Sequence, residues 1–107
     1  MNSFKIEVEK EISRILGKLG LAKTGNGLKE PILEKILAIH LSIHKESSYY
    51  KAGKLVPIII YLELRLRNQA FDKNLLIKIS NISHVELINF IAQLKRFINK
   101  NCRDRIA

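Results

Sequence analysis

Between Phe71 and Phe97 the chain gathers Lys73, Lys78, Ser80, Ser83 and His84, a set of ammonium, hydroxyl and imidazole donors suited to phosphate oxygens. Asn89, Gln93 and Arg96 follow at helical spacing. The amides could in principle pair with base edges and the guanidinium with phosphate. Glu86 shares that stripe and repels phosphate, but its three-residue spacing from Ser83 suits a capping box, with serine and carboxylate each accepting a backbone N–H of the other. The stripe is therefore a weak reader of sequence, and the binding it supports is mostly electrostatic. His84 is largely neutral at pH 7, which weakens any phosphate contact there.

No other constellation assembles an acid, a base and a nucleophile, so no enzymatic activity and no cofactor are expected. Gly17-Lys18-Leu19-Gly20-Leu21-Ala22-Lys23-Thr24 approaches a phosphate-binding P-loop, but alanine stands in place of the required glycine and no strand precedes it. His40 and His44 have the spacing of two zinc ligands on one helix face, without a third ligand or a nearby carboxylate, so they read as partly buried or surface histidines and no metal site is expected. The single cysteine, Cys102, excludes an internal disulfide framework and suits a reducing compartment. Asn81-Ile82-Ser83 is a glycosylation sequon only in a secreted protein, and the charged N-terminal segment MNSFKIEVEKE does not read as an export signal.

The elements that must position these residues are helices. A chain of 107 residues, 47% apolar and with only two prolines, suits a single globular domain over residues 1–107. Its formal net charge of +9 favours an anionic partner, nucleic acid before an anionic membrane surface. Residues 1–50 hold eight basic and six acidic side chains, and residues 51–107 hold eleven against four, so the excess sits with the donor cluster. Phe4, Val8, Ile12, Ile15, Leu16 and Leu19 mark one face of a helix over 3–17, ended by Gly17 and Gly20. Residues 22–27 form a loop, and Pro31 opens a second helix presenting Leu33, Ile36, Leu37, His40 and Ile43, fading near Lys45. The run Leu55–Leu62 has the β-branched density of a strand but no partner strand, so the spacing predicts a helix over about 52–68, central in a bundle, with Pro57 in its first turn or kinking it. The run is too short to cross a bilayer.

Asp72 then caps a short helix, Lys73 to Ile79, and Ser80-Asn81-Ile82 breaks the period, with Asn81 suited to a left-handed corner. Ser83 starts a second helix whose buried face is Leu87, Phe90, Ile91, Leu94, Phe97 and Ile98. Two helices joined by so short a turn form a helix-turn-helix. Lys95, Arg96, Lys100, Arg103 and Arg105 make a basic tail, either a solvated helix end that complements the dipole or a further anion contact. With Tyr49, Tyr50 and Lys51 before the third helix, the tail could instead dock an acidic protein partner.

Phe71-Asp72-Lys73 with Leu76-Ile77-Lys78-Ile79-Ser80, and Leu19-Gly20-Leu21 with Leu33-Glu34-Lys35, resemble short runs of the cyclin-box proteins of the transcription factor IIB type. The similarity is greatest to the first such domain of the sixth subunit of the origin recognition complex. The resemblance covers nearly the whole chain in spacing. It implies an all-α, five-helix cyclin-box bundle with a helix-turn-helix in its last two helices. It also implies a nuclear DNA-binding subunit in replication initiation, whose partners are double-stranded DNA and the other subunits of the complex. In that family the serine ending the "K-[LI]-S" run and a basic residue four positions on lie near the DNA backbone, which correspond to Ser80 and His84 here. The family's second cyclin-like domain and docking helix have no counterpart, as in a fragment or a reduced protein. A transcription-factor domain of the same type, or a cyclin-fold docking module, is the alternative.

Overall fold

The computed structural model describes residues 3–21, 27–42, 51–80 and 82–93. All regular structure among them is helical: α1 Ser3–Lys18, α2 Lys29–His40, α3 Ala52–Leu66, α4 Lys73–Ser80, and α5, described as His84–Gln93. No single helix among the described residues is long and apolar enough to cross a membrane.

α1 buries Val8, Ile12, Ile15 and Leu16 at helical spacing, with Phe4 and Leu19 packed at the edge of the core. Its end is a Schellman turn. Gly20 takes φ 76°, and its N–H bonds the Gly17 carbonyl at 3.1 Å while the Leu21 N–H bonds the Leu16 carbonyl at 2.8 Å. Leu16 and Leu21, brought together by that turn, are both buried. α2 carries Pro31 in its first turn, where no N–H is missed, and buries Ile32, Leu33 and Ile36. It ends at His40, short of Lys45; Ile43 and His44 lie outside the described residues.

α3 is the axis of the bundle. Every residue from Leu55 to Ile60 is buried, which requires neighbours around the helix, and α1, α2 and α4 all pack against it. Pro57 lies in the second turn rather than the first. The bond it cannot donate would have reached the Gly53 carbonyl. The helix closes two residues earlier than its sequence pattern suggests, through a second Schellman turn. Asn68 adopts φ 54°, its N–H bonds the Arg65 carbonyl at 3.1 Å and the Gln69 N–H bonds the Leu64 carbonyl at 2.9 Å.

One acid sits inside this frame. Glu63, 4% exposed, accepts from Lys35 of α2 and from Arg67 Nε at 2.6 Å, linking α2 to the end of α3. Burial pushes its carboxyl up, but the bonds from Lys35 and Arg67 outweigh that effect and hold it below the ordinary carboxylate range.

Candidate nucleic-acid interface

The donor cluster is held by three local devices. Asp72 Oδ1 accepts the Leu75 N–H at 3.1 Å, so α4 is capped at its third N–H. At the other end Arg14 of α1 donates Nη1 to the Ile79 carbonyl at 3.0 Å. The same guanidinium grips Glu11 with Nε at 3.1 Å and Nη2 at 2.8 Å, and that bidentate bond raises the arginine further above its usual value. α5 then leaves at 98° to α4 across residues 81–83.

The entry to α5 is a reciprocal cap. Glu86 N–H bonds Ser83 Oγ at 3.0 Å, and Ser83 N–H bonds Glu86 Oε1 at 3.3 Å, as the spacing of the two residues predicts. The second oxygen of Glu86 accepts Lys54 Nζ of α3 at 2.7 Å. The Lys54 bond, with the Ser83 N–H behind it, lowers the Glu86 carboxyl. The anion that would repel a phosphate thus has a cation at hydrogen-bond distance. No sequence spacing reports Lys54 in this role, because it lies 32 positions from Glu86.

The sequence-predicted donors do not form one patch. Lys78 is exposed to solvent. Lys73 is half-buried, with its Nζ 5.6 Å from the centre of the Tyr61 ring, which also meets Phe71 edge-on at 5.7 Å. Five positions apart, the two lysines point about 140° apart around α4. Ser80, expected to offer its hydroxyl at the turn, is 7% exposed, and its Oγ has no partner among the described residues. As placed, it cannot touch a phosphate. The Ser83 hydroxyl is committed to the cap. His84, Asn89 and Gln93 are exposed along α5, whereas Arg96, Asn81 and the basic tail lie outside the described residues.

The outer face of α5 also holds what sequence reasoning passed over. Val85 and Ile88 are 64% and 50% exposed, and Ala92 is exposed beside them, so the polar stripe of Asn89 and Gln93 runs next to an apolar one. The signal was present in the sequence as a helix apolar on more than one face. His40, considered as a metal ligand, instead stacks on Phe4 with ring centres 3.7 Å apart and 16° between planes. No family model, curated protein or solved structure matches this chain.

Proposed function

We propose that this protein binds double-stranded DNA, mostly through the phosphate backbone and with little sequence preference, at the corner between α4 and α5. One observation carries the proposal. The corner angle of 98° across a three-residue junction, with α5 reciprocally capped at its start, matches the geometry by which a helix-turn-helix offers its second helix to a groove. The first N–H groups of α5 have no partner within the helix and add a favourable dipole for an anion. Lys78 supplies the exposed cation of α4, Asn89 and Gln93 are exposed one turn apart on α5, and His84 is exposed at its start on another side of the helix. A net charge of +9 draws the duplex in.

A central third helix buried on every side from Leu55 to Ile60, followed by a short fourth and a capped fifth, is consistent with a cyclin-box domain. With the sequence resemblance, it supports a nuclear role within an origin recognition assembly.

Fluorescence anisotropy of a labelled duplex over a salt series is the test. Lys78→Glu is expected to weaken binding and to reduce the slope of log affinity on log salt by about one or two, while Lys5→Glu on α1 leaves most of the affinity. Equal losses from both changes, or no binding at low salt, would remove DNA binding by this domain acting alone. A docking role is the second reading, favoured by the exposed apolar side chains of α3 and α5.

A further inference from the structure

We propose that the groove between the C-terminal half of α3 and the outer face of α5 docks an acidic amphipathic helix of a protein partner. Leu62 and Leu66 of α3 line one side, Ile88, Ile91 and Ala92 of α5 the other, and Tyr61 and Arg65 complete it. Leu66 is 72% exposed, and Val85 continues the apolar surface one turn along α5 from Ile88. Large side chains left open on both walls of a groove between helices form a surface that a third helix can cover with anchors one turn apart.

Charge decides the occupant. Among the described residues no Asp or Glu lines the groove. Arg65 holds its guanidinium 5.8 Å from the Tyr61 ring centre and Lys73 its ammonium 5.6 Å from the same centre, so two cations stand at that end. Asp72, beside Lys73 in sequence, is turned to the α4 N-terminus, where it accepts the Leu75 N–H. A second copy of the chain would bring +9 against +9. A duplex would meet cations only at the Tyr61 end, with apolar side chains of Leu62, Leu66, Ile88, Ile91 and Ala92 along the rest. A helix with leucines on one face and glutamates beside them satisfies both the apolar walls and the cations.

The probe is a labelled synthetic helix of about eighteen residues, with leucine at i, i+3, i+4 and i+7 and glutamate beside them, titrated with the full chain. Its comparators are a scrambled peptide of equal composition and a version with lysine for glutamate. The acidic helix is expected to bind with a Kd on the order of micromolar, and Leu66→Asp or Ile88→Asp to weaken it about tenfold or more. Arg65→Glu weakens it and favours the lysine version. Both apolar positions are exposed, so the variants should keep the wild-type far-UV spectrum, and Leu66→Asp, on α3, should also keep most of the duplex affinity; Leu66→Ala provides a milder check. Equal binding of the scrambled peptide, indifference to the variants, or no binding at about 100 times that concentration would overturn the proposal. So would a wild-type chain that self-associates and is dispersed by Ile88→Asp, which would assign the groove to a second copy. Loss of duplex binding in Leu66→Asp with the peptide still bound would assign it to DNA.

Discussion

Among the described residues, Glu63 and Ser80 are the polar ones that the core encloses, and they differ in whether the enclosure is compensated. Glu63 has Lys35 and Arg67. Glu63→Gln removes the charge that both cations bind and is expected to lower stability by about 1–3 kcal/mol, with both cations exposed enough to return to water. Urea unfolding checks this through a lower midpoint at unchanged slope. The acid side follows from the sign of the shift. Because the folded carboxyl is depressed, its contribution is complete above the unfolded carboxylate range and disappears as pH falls through the lower folded value. The variant should therefore show a shallower loss of stability on acidification. Ser80 has no such partner among the described residues, and a buried hydroxyl without one is a net burden. Ser80→Ala should leave stability unchanged or raise it by up to about 1 kcal/mol, and should leave duplex affinity intact. An affinity loss in that variant would restore the serine to the binding surface. Neither environment was legible in the sequence. Lys35 lies 28 positions from Glu63, and the burial of Ser80 depends on how α4 is seated against α1 and α3.

At the scale of elements, what was legible was what is local. Asp72, and Ser83 with Glu86, announce their caps within one turn, and the structure bears both out at hydrogen-bond distance. Helix ends set by backbone turns were less visible. The left-handed residue expected at Asn81 lies outside the described residues, while Asn68, which the sequence pattern did not single out, takes that conformation at the end of α3. α4, eight residues long, is too short to persist alone and depends on its ends and its packing. Replacing Ser83 by alanine is expected to destabilise the protein by about 1 kcal/mol. Amide exchange should quicken in the first turn of α5 and leave the middle of α1 at its wild-type rate. Arg14→Gln should have a different signature, releasing the Ile79 carbonyl and quickening exchange in α4. If both variants loosen the whole molecule equally, the corner does not open as a local unit.

For the molecule as a whole, the all-helical class was legible because the apolar period in α1 and the unbroken apolar run in α3 leave few other ways to bury so much carbon. The outward apolar face of α5 was not legible as such, because periodicity tells which faces are apolar and not which of them a fold will cover. Charge is the property that belongs to no single element. Nineteen basic side chains face ten acidic ones, and among the described residues Glu11, Glu63 and Glu86 are already paired with Arg14, with Lys35 and Arg67, and with Lys54. Most remaining charge is cationic and repels itself, more in the compact state than in the expanded chain. Raising salt from about 20 to about 200 mM should therefore stabilise the protein, since the Debye length shortens through the distances that separate these cations while the enclosed Glu63 pairs are screened least. The same rise should abolish most stabilisation by duplex DNA, because binding to the folded state is driven by release of the duplex's counterions. Thermal unfolding at both salts, with and without duplex, reads the two effects at once. An increase in Tm with salt alone and a duplex-induced increase confined to low salt are expected. A protein that salt destabilises would owe more to its surface ion pairs than its cation excess allows, and a duplex effect that survives high salt would require contacts other than phosphate.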